Sequence, residues 1–144
     1  MRSTDLPLNQ MLGIIDAPPS AEHLLERPLT PLVQNHLGTR HAATQFALAE
    51  AASAERLRRD YGNVARGGLV VVRGVTIKYR RPVSSSLRAF ARVDESTAQR
   101  LSNDLATRSR TIATVLVELP DIAGNLTFAE TFSWLIGQPE TLSR

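Results

Sequence analysis

The stretch NHLGTRHAATQFALAEAASAERLRR, residues 35–59, decides the fold of this 144-residue chain. Its alanines and straight-chain side chains favour a helix, which we predict over residues 39–59. A helix of that length extends about 31 Å at the usual rise of 1.5 Å per residue. Its basic last turn, RLRR, complements the negative end of the helix dipole. Because most of its side chains are small, a sheet can approach the axis of this helix closely.

One carboxylate, Glu50, stands near the middle of the predicted helix. Its neighbours at helical spacing are apolar or small: Phe46, Ala47, Ser53, Ala54 and Leu57. An acid on such a stripe is costly unless it is paired or used. Three interpretations stay open: a catalytic group, an ion pair with an arginine of a partner subunit, and an exposed residue.

Composition excludes several classes of protein. There is no cysteine, and of the three histidines, His23, His36 and His41, the last two are five apart with no nearby carboxylate at ligand spacing, so we expect no metal site. The net charge is +3, but the charges are dispersed and only 5% of residues are aromatic, so we expect no nucleic-acid binding. With no signal peptide and no long apolar run, we expect a cytoplasmic protein without a membrane segment.

The segments on either side of the long helix differ in character. Downstream, β-branched or alternating stretches predict four strands, at 69–81, 85–94, 110–119 and 124–137. Between the second and third, Ser96 with Gln99 forms a capping box that should begin a short helix. Upstream, apolar spacing predicts a helix over 5–15, and prolines predict an extended edge segment over 22–33.

The order of these elements predicts one α+β domain, residues 1–144, with a helical N-terminal extension over 1–20. Short connections between the C-terminal strands make most of the sheet antiparallel. Wrapping that curved sheet around the one long helix is the most economical way to bury both apolar surfaces.

This order of elements is that of the hotdog fold, and NHLGTRHAATQFALAE resembles hotdog acyl-CoA thioesterases of the phenylacetyl-CoA and 4-hydroxybenzoyl-CoA type. In that family a polar amide precedes a histidine and two small residues at the helix start, and an acid follows on the helix. Here Asn35 precedes His41 by six positions, Ala42 and Ala43 follow it, and Glu50 comes nine positions after it. VTIKYRRPVSSSLRAFARV and VELPDIAGNLTFAETFSWLI resemble the family's strands, so the likeness covers about residues 25–137.

The resemblance implies hydrolysis of an acyl thioester of coenzyme A or of an acyl carrier protein, with no cofactor. Glu50 is expected to act as general base or nucleophile, because burial raises the pKa of a carboxyl group. The backbone N–H of Ala42, at a helix N-terminus, is our candidate donor to the oxyanion. Asn35 would position water or the thioester carbonyl, and His41 would orient the helix start.

Other parts of the chain are expected to bind the carrier arm and to pair protomers. In relatives the region of Arg80 and Arg81 lies along the coenzyme A or carrier-protein arm, where two arginines could hold phosphates. Tyr79 is expected in the core or at its rim, and Trp134 in the core or in an acyl-pocket wall. Hotdog relatives pair their sheets and share their sites, so we expect a homodimer or a homotetramer.

Two departures from the family pattern keep other functions open. Ala42 and Ala43 replace two glycines, and Val72 falls where many relatives place a serine or threonine beside the catalytic water. These residues favour the alternative of a hotdog protein that binds an acyl thioester, or senses it, without hydrolysis. A hydratase or dehydratase would resemble its relatives in an aspartate–histidine pair before the helix, and here Asn35 occupies that region.

Overall fold

The computed structural model describes residues 1–62 and 68–137. The α-helices among these residues are α1 (Pro7–Met11), α2 (Ala42–Tyr61) and α3 (Glu95–Thr107). The strands are β1 (Ile15–Asp16), β2 (Leu25–Arg27), β3 (Leu69–Tyr79), β4 (Leu87–Val93), β5 (Arg110–Pro120) and β6 (Leu126–Gly137). They form one antiparallel sheet in the order β1-β2-β4-β5-β6-β3.

The inner face of this sheet packs against α2, as the sequence predicted. Leu48, Ala49 and Ala52 of the helix are completely buried, and so are Phe128 and Phe132 of β6. Alternate residues of β5 and β6 point toward the helix, because successive side chains of a strand face opposite sides of a sheet. The α+β hotdog fold is therefore confirmed.

The central helix begins three residues later than predicted and extends to Tyr61. His41 has extended backbone angles and is the N-cap, and its ring Nδ1 accepts a hydrogen bond from the Ala43 N–H at 3.1 Å. Residues 39 and 40 are held in an extended connection, in which Arg40 forms an isolated bridge with Gln34. Tertiary pairing before the helix therefore overrides the local preference for helix at residues 39–41.

The predicted N-terminal helix over 5–15 is wrong in extent. Only Pro7–Met11 is α-helical, and Gly13, with φ of +68°, ends the turn in a conformation that favours glycine. Three of the four apolar side chains that suggested a helical stripe are exposed, Leu8 56%, Met11 65% and Ile15 45%, whereas Leu12 packs against the core. The next segment, predicted as extended over 22–33, contains only the short strand β2 and a 3-10 turn at Pro31–Val33.

The short helix α3 is present, but its predicted capping box is wrong. Asp94 is the N-cap, and its carboxylate accepts a hydrogen bond from the Thr97 N–H at 3.2 Å. The side chain of Gln99 instead donates to Glu95 at 3.4 Å. The hydroxyl of Thr97 accepts from the Thr114 N–H at 3.2 Å, so α3 covers part of β5 that β4 does not reach.

Strand β3 is an edge of the sheet and pairs only with β6. A bulge at Arg73 separates its two halves. Leu69, Val70, Val71, Ile77 and Tyr79 are all more than one third exposed. The YGNVARGG loop predicted to end the central helix falls largely on residues 63–67, outside the described residues.

Candidate functional site

The first backbone N–H of α2 has no hydrogen-bond partner among the described residues, and it lies beside the end of β3. No described residue accepts a hydrogen bond from the Ala42 N–H, as is usual for the first residue of a helix. The Tyr79 hydroxyl of β3 donates to the Ala42 carbonyl oxygen at 3.3 Å, which fixes the helix start against this strand. Ala42 and Ala43 are both exposed, so an incoming anionic oxygen can reach the helix start.

Glu50 lies about two turns further along α2, about 12 Å along the axis from Ala42. Its side chain is half-buried, and burial raises its pKa, as its apolar helical neighbours predicted. No described side chain forms an ion pair with Glu50. The nearest cation before it in the chain, Arg40, is buried elsewhere and donates to the carbonyl oxygens of Arg27 and Ser85.

The other acid of the helix, Glu55, is bound tightly within the fold. Its carboxylate accepts hydrogen bonds from Arg58 at 2.6 Å and 2.9 Å, from Arg59 at 2.9 Å, and from the Ser3 N–H at 3.4 Å. Burial alone would raise the pKa of Glu55, but these donors lower it to about 2. Glu55 is therefore a structural acid, and Glu50 is the unpaired one.

A second unpaired acid, Glu130, was missed from the sequence. It is 3% exposed, and neither carboxylate oxygen has a hydrogen-bond partner among the described residues. Its neighbours across the sheet are Ile77 and Val117, both apolar. Burial, and then the nearby charge of Glu50, raise the pKa of Glu130 to about 8. At neutral pH Glu130 therefore keeps its proton.

Alternation in β6 could have identified Glu130. In the segment TFAETFSW, residues 127–134, the inward positions Phe128, Phe132 and Trp134 are apolar, and Glu130 shares their parity. Its relation to Glu50 could not be read from the sequence, because eighty residues separate the two acids.

Aromatic contacts join both α2 and β3 to β6, at the two residues of β6 that flank Glu130. Phe46 of the helix lies with its ring centroid 6.0 Å from that of Phe132, and Tyr79 lies 5.0 Å from Phe128. The Trp134 indole N–H donates to the Ser53 hydroxyl at 3.1 Å, and that hydroxyl donates to the Glu50 carbonyl oxygen at 2.8 Å. Trp134 is thus a core residue, and Tyr79, 47% exposed, lies at the rim.

Asn35 is engaged within its own loop. Its side-chain oxygen accepts from the Leu37 N–H at 2.9 Å and from the Thr39 N–H at 3.1 Å, and its amide donates to the Thr39 hydroxyl at 2.9 Å. This is the local turn that asparagine commonly forms. His41 lies next to the helix start as its exposed N-cap.

Arg80 and Arg81 directly follow β3, at the end of the sheet where Tyr79 contacts the helix start. Both side chains are exposed, and both backbone N–H groups donate to the Thr127 carbonyl oxygen, at 2.9 Å and 3.4 Å. They are therefore on the same side of the molecule as the free N–H of Ala42.

The inner face of β3 beside this site carries no serine or threonine. Its inward residues, identified by their partners on β6, are Val70, Val72, Val75, Ile77 and Tyr79. Val72 lies opposite Trp134, next to the bulge. The strand offers an apolar wall to a ligand and, apart from the Tyr79 hydroxyl, no hydroxyl group to hold water.

Residues 1–62 and 68–137 contain no cluster of three or more histidine, aspartate and glutamate side chains suited to a metal ion. Within the same ranges no helix is both long enough and apolar enough to cross a membrane.

Comparison with known proteins gives a family and a fold. The sequence profile of DUF4442, a domain of unknown function, matches residues 20–136. No protein among those with curated descriptions matches the chain. Solved structures do match it over most of its length.

A Pseudomonas aeruginosa protein of unknown function, described as a probable thioesterase, is similar with a TM-score of 0.78 and 19% identity, over 94% of this chain and 90% of that one. A thioesterase from Haemophilus influenzae is similar with a TM-score of 0.68 and 16% identity, over 94% and 85%. A Bacillus halodurans protein solved with CoA has a TM-score of 0.62 and 20% identity, over 78% and 69%. At these identities the likeness establishes the fold.

Proposed function

The chain belongs to the DUF4442 family and has the hotdog fold, and on that basis we propose that it hydrolyses an acyl thioester of coenzyme A or of an acyl carrier protein. The observation that carries this proposal is Glu50, a half-buried acid without an ion-pair partner, on the helix whose start offers a free N–H. The thioesterase descriptions of similar folds and the CoA bound to one of them support it.

The reaction needs a base for water and a donor for the oxyanion. Glu50 removes a proton from water while the water oxygen bonds to the thioester carbonyl carbon. The Ala42 N–H and the positive end of the α2 dipole stabilise the negative charge that forms on the carbonyl oxygen. The C–S bond then breaks, and the proton passes from Glu50 to the leaving thiolate, which gives a carboxylic acid and a thiol.

The separation of these two groups supports a site shared between two protomers. Ala42 and Glu50 of one chain are about 12 Å apart along the helix, whereas reacting atoms must come within about 3–3.5 Å of each other. A homodimer that pairs β3 with its copy would bring the helix start of one protomer toward Glu50 of the other. We include in the proposal this homodimer, alone or as half of a homotetramer.

Arg80 and Arg81 are proposed to hold the phosphates of the carrier arm. Both guanidinium groups are exposed beside the helix start, and arginine binds phosphate oxygens through two parallel donors. The arm would then run outward over the end of β3 while the acyl group lies against the apolar inner face of that strand.

Thiol release from a panel of acyl-CoA and acyl-carrier-protein thioesters tests the proposal. Glu50→Gln should reduce turnover of the best substrate at least about a hundredfold, the scale of a positioned acid–base group. Glu118→Gln is the matched control, because Glu118 is exposed on the outer face of β5, and it should leave the rate unchanged. Equal turnover by wild type and Glu50→Gln would show that the catalytic group is elsewhere.

The second candidate is a protein that binds the thioester without hydrolysing it. The apolar inner face of β3, with Val72 in place of a hydroxyl residue, favours this function. It predicts that no thioester in the panel releases thiol, and that titration calorimetry with the same thioesters still detects binding.

A further inference from the structure

Glu130 is a buried acid without a role in the reaction proposed above. It lies on the inner face of β6 with Ile77 on one side and Val117 on the other. Its two oxygens have no partner among the described residues, although buried polar groups are normally hydrogen-bonded. A group left this way inside a core either weakens the fold or is completed by a ligand or water.

The contacts around Glu130 place it on the sheet face that α2 covers, near the part of the helix that carries Glu50. Phe128 and Phe132, two residues before and after Glu130 on β6, contact Tyr79 and Phe46, and Tyr79 is bonded to the start of α2. Glu50 comes one turn after Phe46, and helical side chains lean toward the N-terminus of their helix. The side chain of Glu50 therefore points back along α2, in the direction of Glu130 on the facing sheet.

The two carboxyl groups influence each other electrostatically, but no hydrogen bond joins them. Burial raises the pKa of Glu130, and the charge of Glu50 raises it further, so the two acids are within electrostatic range of each other. No hydrogen bond connects them, because both oxygens of Glu130 are without a partner. A small polar molecule between the two carboxyl groups would form hydrogen bonds with both.

We propose that Glu130 is a positioning residue that holds, together with Glu50, the water molecule that attacks the thioester. This inference rests on the proposed function. A water in this position donates one hydrogen to the ionised Glu50 and the other to the carbonyl oxygen of the protonated Glu130. Both hydrogens are then occupied, and a lone pair of the water oxygen remains free to bond to the thioester carbon.

The protonation of Glu130 matters to this arrangement. If Glu130 ionised, two negative charges would face each other in the site, beside the oxyanion that the reaction forms. The titratable groups that face it are Glu50 from α2 and Tyr79 from β3, whose pKa is raised by burial and then by Glu130. From β5 it meets Val117, while Lys78, Arg92 and Glu118 lie on the outer face of the sheet.

Two substitutions separate a positioning role from a structural one. Glu130→Gln keeps a carbonyl acceptor but cannot ionise, so it should retain kcat within about threefold and remove the decline of activity above about pH 8. Glu130→Leu removes the acceptor and should lower kcat about 10–100-fold with little change in KM. Glu118→Leu on the outer face is the matched control for adding a leucine.

A carbon-13 NMR titration of the glutamate carboxyl groups tests the same geometry without a substrate. The Glu130 carboxyl should stay protonated up to about pH 8, and Glu50→Gln should lower its pKa by removing the facing charge. This measurement keeps the inference testable if Glu130→Leu does not fold.

The possible outcomes distinguish this inference from the proposed function. If wild-type protein is active and Glu130→Leu is folded and equally active, Glu130 does not hold the water, and the thioesterase proposal stands. If Glu130 titrates near pH 4–5 regardless of Glu50, the two groups do not face each other and the inference is wrong. If the wild type hydrolyses no thioester, the proposed function is wrong, and so is the positioning role of Glu130.

Discussion

At the scale of single residues, three glutamates in one fold are held in three different states. Glu55 is surrounded by arginine donors and stays ionised, with its pKa at about 2. Glu130 is buried among apolar neighbours without a donor, and its pKa is about 8. Glu50 lies between these extremes, half-buried and unpaired, with its pKa raised by burial. Neighbouring acids with separated pKa values are the usual arrangement of a base beside a proton-holding group.

The first prediction concerns the stability that Glu55 provides. Glu55→Gln should lower the free energy of unfolding by about 2 kcal/mol at pH 7, since hydrogen bonds to charged groups contribute about 1.5–3 kcal/mol. Because its folded pKa is depressed, this contribution is full above the unfolded pKa and is lost as pH falls toward 2. Urea denaturation at a series of pH values should show the difference from wild type shrinking below about pH 4.5. A constant difference across pH would mean that Glu55 acts through packing alone.

The sequence predicted Glu50 and missed Glu130 for a physical reason. Helical neighbours of Glu50 are only three or four positions away, so its apolar surroundings can be read locally. The surroundings of Glu130 come from β3, β5 and α2, and only the fold brings them together. For Asn35 the resemblance predicted a catalytic amide, but among the described residues its side-chain oxygen accepts hydrogen bonds only from nearby residues of its own loop.

At the scale of elements, α2 sets the geometry of the site from its first residue. The helix starts at Ala42 because His41 caps it in an extended conformation, with φ of −65° and ψ of 136°. Local propensity predicted the helix and its length well. Its first residue, however, is set by the pairing of Arg40 with Gln34 and of His41 with Val33, which local propensity does not include. The N-terminal helix was predicted too long because Gly13, in a conformation that favours glycine, ends it, and three of the four apolar side chains of the predicted stripe are exposed.

The second prediction tests the N–H at the start of this helix. Ala42→Pro removes the proposed oxyanion donor, yet proline suits the first position of a helix and the extended conformation of His41 before it. Turnover should fall about 10²–10³-fold, the usual effect of losing one oxyanion-hole donor, while circular dichroism and melting temperature stay near wild type. Ala43→Ser is a control that keeps both N–H groups. Full activity of a folded Ala42→Pro variant would exclude this donor.

At the scale of the whole molecule, two features favour the proposed homodimer: the exposed edge of β3, and the separation of about 12 Å between Ala42 and Glu50 along α2. An apolar strand edge is a template for pairing with another chain, and β3 exposes Val70, Val71 and Ile77. A copy of the chain bound there would also complete the site that one chain leaves open. The fold was predictable because one long helix and four strands in this order have few ways to pack, whereas the proposed shared site would depend on a second protomer.

The third prediction uses mixed dimers to test this sharing. Glu50→Gln and Ala42→Pro each inactivate one half of a shared site, so the two variants should both be inactive alone. When they are unfolded together and refolded as an equal mixture, half of the dimers contain one intact site, and about a quarter of the wild-type activity should return. If each chain carries its own complete site, no mixture of the two variants regains activity.

The most direct test of the central claim is a crystal structure of Glu50→Gln with the acyl-CoA that the wild-type protein hydrolyses fastest. The thioester oxygen should lie about 2.7–3.1 Å from the Ala42 nitrogen of one protomer. A water should lie between the side chains at position 50 and Glu130 of the other protomer, about 3–3.5 Å from the thioester carbon. A thioester bound away from both the helix start and these two acids would contradict the account.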